Sequence, residues 1–319
     1  MNPLLRRTLL RSSLAGAIYH WLPVARAQSG LGHRRKRPID NSPAPMPDSA
    51  NGPIVVLIHG ALADMGFWQP LIALLTEYCS VISYTLYGHY TYHNGRDLTP
   101  HAPRDDSYAL QRHANDLLAL IDQVGVGPAH LVGHDLGSNI ALQTALTRPD
   151  WVASLMLCNS SPVGLPSDDA DVRVAVDHDC AILQQARRAW SAGDAKQAMA
   201  LFLQNYVGSD GAPTPDWVRA MYAQNLSTLP LLVDLHLRSP VITAAEFHRI
   251  NMPMNLLSSA TTRASARAGN DLLANRFKQA THSLIAGGYL APIAAPRQFS
   301  HAMQTFLNPA GATASLLRT

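Results

Sequence analysis

The residues best placed to do chemistry sit together in His130-Leu131-Val132-Gly133-His134-Asp135-Leu136-Gly137-Ser138-Asn139-Ile140. An apolar run enters a short stretch with a glycine on either side of an acid, and small and apolar residues follow from Ser138 to Leu146. That order predicts a strand, a sharp turn and a helix, with Asp135 at the apex of the turn. Glycines belong on the flanks because the central residue takes strained backbone geometry and neighbouring side chains would collide. A carboxylate lifted clear of a sheet in this way needs no deprotonation to attack an sp³ carbon. The same group can instead exchange protons with a bound substrate.

Several elements must hold that apex in place. Pro53 to Leu62 reads as a buried strand running into a His59-Gly60 turn, and Val81 to His89 as the next strand with its own Gly-His turn. Val152 to Asn159 is a third apolar strand after the Asp135 turn. Met65 to Tyr78 and Tyr108 to Gly125 have helical spacing, and Tyr90 to Asp106, dense in Tyr, His, Asn and Pro, reads as a long loop. The alternation resumes with a strand over 250–257, a helix over 270–278, a strand from His282 and a last helix over 296–307. The expected class is α/β, with a mostly parallel central sheet flanked by helices; a plain Rossmann-like domain would share that alternation.

From about Pro53 to Leu307 this order resembles the α/β-hydrolase fold superfamily, with Gly133-His134-Asp135-Leu136-Gly137 in the place of its nucleophile elbow. An acid at the apex is similar to the epoxide hydrolases and the haloalkane or haloacid dehalogenases of that fold. The resemblance implies a covalent ester on Asp135, backbone amides of Ala61 and Leu136 holding the oxyanion, and a histidine, oriented by an acid, activating water. Here the sequence departs from the pattern. In such enzymes the closing stretch resembles Gly-x-Gly-His-x-x-Pro, whereas this chain reads Ala286-Gly287-Gly288-Tyr289-Leu290-Ala291-Pro292 and puts Tyr289 in the histidine position. The acid is missing too: Ser258 to Arg263 holds no carboxylate, and the other candidate position is Asn159.

Three readings follow. Asp135 is a nucleophile served by a histidine from elsewhere, such as the His89 to His101 region. Alternatively, Asp135 and Tyr289 are an acid–base pair without a covalent step, which suits a lyase, isomerase or cyclase. In the third, the pocket binds a ligand without turning it over.

Ser161 to Ser239 interrupts the alternation with helical sequence: 177–192, 195–206, 215–225 and 229–237. In this superfamily an insertion at that point is a helical cap over the active site. The resulting domain reading is core over 53–160 and 240–310 with a cap over 161–239. Trp190, Tyr206 and Tyr222 from the insertion, with His59 and His134 from the core turns, are the pocket candidates; Tyr206 and Tyr222 match the cap tyrosines that protonate an epoxide by residue type alone. The resemblance implies a small, largely apolar organic substrate.

The chain has 319 residues, 47% hydrophobic and 15% charged, which suits one large α/β domain. Met1 to Ala27 reads as a secretory signal, with Arg6-Arg7 similar to a twin-arginine motif and Ala25-Arg26-Ala27 as a cleavage site. This implies export to the periplasm or beyond; the apolar run is too short and interrupted for a stable membrane anchor. Residues 28–52, rich in Pro, Ser and basic residues, read as a disordered linker. The net charge of +3 includes four arginines in residues 1–27, which carry no acid, so the remainder stands at −1. The two basic clusters, in residues 1–27 and at Arg34-Arg35-Lys36-Arg37, lie on tails, and no nucleic-acid partner is expected. Cys79, Cys158 and Cys180 are too few and scattered for a disulfide framework, and His93, His101 and His113 match no zinc spacing. No cofactor or metal motif is present.

Overall fold

The computed structural model describes residues 18–20, 52–89, 91–93, 96–98, 109–207 and 213–308. The expected signal and linker fall almost wholly outside the described residues, as does His101. Six parallel strands form the centre: β2 (Ile54–Ile58), β3 (Ser80–Tyr84), β6 (Ala129–His134), β7 (Val152–Cys158), β8 (Met254–Ser258) and β9 (Thr281–Leu284), in the spatial order β3-β2-β6-β7-β8-β9. The short strand β1 (Ile18–His20) pairs antiparallel with β3 at the edge. Val55, Val56, Leu57 and Ile58 are fully buried, as a strand covered on both faces requires.

Helices cover the sheet. They are α1 (Gln69–Leu75), α2 (Leu110–Val124), α3 (Leu136–Thr147), α4 (Ala170–Ser191), α5 (Ala195–Tyr206), α6 (Asp216–Gln224), α7 (Leu229–Arg238), α8 (Ala264–Arg276) and α9 (Pro296–Leu307). The helix expected over 65–78 is instead a 3₁₀ turn, Met65–Trp68, followed by α1, with Pro70 in the first turn where a missing N–H is harmless. Helix α8 begins at Ala264, well before the expected start at Asn270. Tyr90 to Asp106 is not all loop: β4 (Thr91–His93) and β5 (Arg96–Leu98) pair antiparallel. The sequence signal for that hairpin is Asn94-Gly95 between the two strands. Among the described residues no helix is long and apolar enough to cross a membrane, and all three cysteines are free.

The turn between β6 and α3 is built as its glycines demand. Asp135 has φ +51° and ψ −115°, outside the regions an L-residue prefers. A Cβ on Gly137 would lie 2.1 Å from the Ile58 carbonyl oxygen, and one on Gly133 would lie 2.4 Å from that of Gly137. Strand β2 and helix α3 therefore touch backbone to backbone. The Asp135 amide donates to the Cys158 carbonyl (2.9 Å), and Ser138 Oγ donates to that of Gly133 (2.9 Å). Gly137→Ala should lower stability by about 3 kcal/mol, the upper end of overpacking, measured by urea unfolding. If the substituted protein proved as stable as the parent, this packing would not be what holds the turn.

Candidate active site

The turn presents Asp135 to three donors at once. The Ala61 amide (3.2 Å) and the Tyr289 hydroxyl (3.1 Å) donate to Oδ2, while Arg263 Nη2 donates to Oδ1 at 2.7 Å. Asp135 is 2% exposed and the Arg263 side chain 6%, so this is a buried ion pair. Arg263 Nε is in turn 3.1 Å from Asp179 Oδ2 in α4, and Ser265 Oγ also donates to Asp179. Arg263 lies over the Tyr206 ring, 3.9 Å from its centroid.

The electrostatics follow from burial. Desolvation alone would raise the Asp135 carboxyl, but the Arg263 charge and the donated hydrogen bonds overcome it and hold the group below its ordinary value. Arg263 is held more firmly protonated than usual despite its burial, with Asp135 the main cause. Burial, and then the Asp135 charge, push Tyr289 well above the usual phenol value. At neutral pH the pair is thus a carboxylate and a protonated phenol.

Tyr289 is positioned from below. It lies in the 3₁₀ turn Gly288–Leu290 after β9, entered through Gly287 at φ +100°. The His134 ring, its Nε2 at 2.7 Å, donates to the Tyr289 carbonyl; Asn159 Nδ2 donates to the carbonyls of Gly288 (3.2 Å) and Tyr289 (3.4 Å). Ser259 Oγ accepts from the Gly288 amide (3.0 Å). His134 is fully buried, and desolvation lowers it to about 4, so it stays neutral. The Leu86 amide donates to His59 Nε2 (3.0 Å), leaving Nδ1 to donate to the Gly60 carbonyl (2.9 Å). His59 therefore braces the turn that carries the Ala61 amide.

The structure brings together Asp135, Tyr289 and Ala61 from the sequence-derived set. Leu136 borders a small cavity beside Asp135, and Tyr206 packs edge-on against Tyr289 at 5.5 Å. Tyr222 is fully buried against Phe202 (5.5 Å between rings). His59 and His134 support the turns from below, and Trp190 is half-buried at the end of α4; none of the three borders the two cavities of the site. His89 packs on His59, 5.0 Å between rings, rather than on Asp135. Among the described residues no imidazole hydrogen-bonds the Asp135 carboxylate.

Three residues of the site escaped the sequence reading: Arg263, Asp179 and His236. A cavity of about 10 Å³ is bordered by Asp135, Leu136, Asn139, Ser161, Val163, Leu235 and His236. A cleft of about 860 Å³ opens on the far side of Arg263, between α4, the end of α5 and the segment 260–267. Arg263 Nη1, Tyr206 Oη, Asn205 Nδ2 and Thr262 Oγ1 belong to residues on that cleft, and each is buried without a hydrogen-bond partner among the described residues.

Comparison with known proteins agrees with this fold. The family described as alpha/beta hydrolase fold matches residues 53–290. This chain belongs to that family. It is similar to "Putative carbamate hydrolase RutD" of Pseudomonas syringae pv. syringae (strain B728a), 28% identical over 264 residues, which covers 81% of this chain and 95% of the relative. The same fold is seen in a hydrolase from Pseudomonas aeruginosa PA01 (24% identity, TM-score 0.61, 81% of this chain and 91% of that one). It recurs in the enol-lactonase from Burkholderia xenovorans LB400 (20%, 0.62, 81% and 92%).

Arg263→Met leaves two buried carboxylates without their cation and should cost about 3–5 kcal/mol at pH 7. In the parent, the folded-state value of Asp135 is depressed, so its contribution is present above the unfolded carboxylate value of about 3.9 and fades as pH falls through the folded one. In the variant the unpaired Asp135 carboxyl can take up a proton as the solution is acidified. Urea unfolding should therefore show a stability gap that is widest near pH 7 and narrows towards pH 4; a flat gap would remove Asp135 as the partner.

Proposed function

We propose that this chain is a hydrolase of small organic substrates in which Asp135 is the nucleophile, in the manner of the epoxide hydrolases and dehalogenases. The observation that carries this reading is the division of labour between the two carboxylate oxygens. Oδ2 already receives the Ala61 amide and the Tyr289 hydroxyl, two donors where an oxyanion hole needs them. Oδ1 is the oxygen left to attack, and Arg263 keeps it ionised.

In the first half, Oδ1 bonds to the electrophilic carbon and the carbon–halogen or carbon–oxygen bond breaks. The leaving group departs with the bonding electrons beside the Arg263 guanidinium. In the second half, water adds to the ester carbon, and the charge collects on Oδ2 between Ala61 and Tyr289. Collapse releases the alcohol and restores the carboxylate. The helical insertion acts as the cap: Asp179, Tyr206 and His236 reach the site from it. The four unpartnered polar atoms around the cleft support a substrate with at least one hydrogen-bond-accepting group, which modifies the largely apolar substrate the resemblance implies. Hydrolysis is also what the name of the Pseudomonas syringae relative carries.

One observation favours a second reading. Arg263 at 2.7 Å occupies Oδ1 in the resting site, and a carboxylate so held can instead form no bond to substrate and work with Tyr289 as an acid–base pair, in a lyase, isomerase or cyclase.

Intact-mass measurement on acid-quenched protein, after exposure to a panel of epoxides, haloalkanes and haloacids, separates the two. The covalent reading expects one organic group on Asp135 and none in Asp135→Asn; no adduct and no turnover across the panel would overturn it. Tyr289→Phe should lower kcat about 10²-fold through loss of an oxyanion donor while leaving KM little changed.

A further inference from the structure

Of the histidines the sequence offered for water activation, His89 packs on His59 and His101 lies outside the described residues, yet the ester on Asp135 would need a base. The cavity of about 10 Å³ beside Asp135 has room for about one water. Among its polar borders, Ser161 Oγ accepts from the Val163 amide (3.4 Å) and keeps an O–H to donate, while Asn139 and His236 offer neutral acceptors. Asn139 Nδ2 donates to the carbonyls of Ser161 (3.1 Å) and Val163 (3.0 Å), which fixes Oδ1 as the remaining atom of that amide, buried and without a partner among the described residues. His236 Nδ1 lies 2.9 Å from the Leu232 carbonyl one turn earlier in α7, which sets the tautomer: Nδ1 carries the proton, and the lone pair is on Nε2. A water seated among Asp135, Asn139 Oδ1 and His236 has two hydrogens to give and two neutral acceptors to take them.

We infer that His236, supplied by the helical insertion, is the general base that activates the hydrolytic water, and that Asn139 Oδ1 orients that water towards Asp135. This deepens the nucleophilic reading of Asp135 and rests on it. In the step, the water oxygen bonds to the ester carbon of Asp135 while its proton passes to His236 Nε2. As the tetrahedral species collapses, that proton leaves with the alkoxide as the alcohol, and His236 returns to the neutral form. The second proton of the water stays on Asp135 as the carboxylic acid, and its release to solvent restores the carboxylate, so protons and charge balance.

His236 suits the task electrostatically. Burial lowers its affinity for a proton, while the Asp135 and Asp179 carboxylates raise it and Arg263 opposes them. Those are the charged groups that face it. The imidazole is thus neutral at pH 7, ready to accept.

The test compares the full chain with His236→Phe and His236→Gln. With an electrophile from the panel, the variants should form the Asp135 adduct at a rate within about threefold of the parent. Breakdown of the adduct should slow by about 10²–10⁴-fold, so that the ester accumulates in the variants alone. Equal adduct lifetimes in parent and variants would overturn the inference while leaving the nucleophilic reading intact. An independent readout is the His236 titration followed by ¹H–¹⁵N NMR, with Asp135→Asn as the perturbation. The inference expects the Nδ1–H tautomer and a pKa that falls when the Asp135 charge is removed. A titration indifferent to residue 135, or the opposite tautomer, would overturn it even if no electrophile in the panel reacts.

Discussion

A carboxylate with almost no solvent contact can keep its charge only if a cation and several hydrogen bonds replace the water it has lost. Asp135 meets that requirement through Arg263, the Ala61 amide and the Tyr289 hydroxyl, and each comes from a different part of the chain. Much of the surrounding structure can be read as the means of delivering these donors. His59 braces the turn that carries Ala61. His134 and Asn159 hold the loop that carries Tyr289. Asp179 and Ser265 fix Arg263 from its other side. The backbone strain at Asp135 is tolerated because Gly137 lets α3 sit against β2 and Gly133 lets the end of β6 sit against the start of α3, which leaves the turn no other course.

The parts of this arrangement that repeat locally were legible in the residue order. Alternating apolar strands and helices, and a glycine-flanked acid between them, predicted the sheet and the turn with few errors beyond element ends. The missed hairpin and the broken helix over 65–75 both had local signals, Asn94-Gly95 and Pro70. The site itself was legible only in part. Asp135 and Tyr289 stood at positions a pattern could mark, but Arg263 is 128 residues from its partner and lies where the pattern led one to look for an acid. An ion pair reverses the sign expected at that position: the residue sought was an anion to orient a histidine, and the residue present is a cation to hold an anion. His236 had no pattern at all. It becomes notable only when the fold sets α7 against the Asp135 turn.

Residue 289, where the resemblance leads one to expect an imidazole, is a phenol, and the two groups differ in what they could do beside Asp135. An imidazole there could take a proton from water near neutral pH. A phenol raised by burial and by a neighbouring carboxylate cannot, but it is a firm donor. On the nucleophilic reading, the absence of a base at that position comes with an added oxyanion donor. A hydrolase built this way would need its base from another element, and the helical insertion brings His236 to the cavity beside the carboxylate.

That dependence ties chemistry to docking. Asp179, Tyr206 and His236 all belong to the insertion, while Arg263 and Asp135 belong to the core. Moving the insertion away would leave Arg263 without Asp179 and without the Tyr206 ring beneath its guanidinium. The Arg263–Asp135 pair would then face water, where its attraction is weaker and the carboxylate better solvated. The clamp of Arg263 on Oδ1 and the placing of His236 beside the carboxylate thus both depend on how the insertion packs on the core.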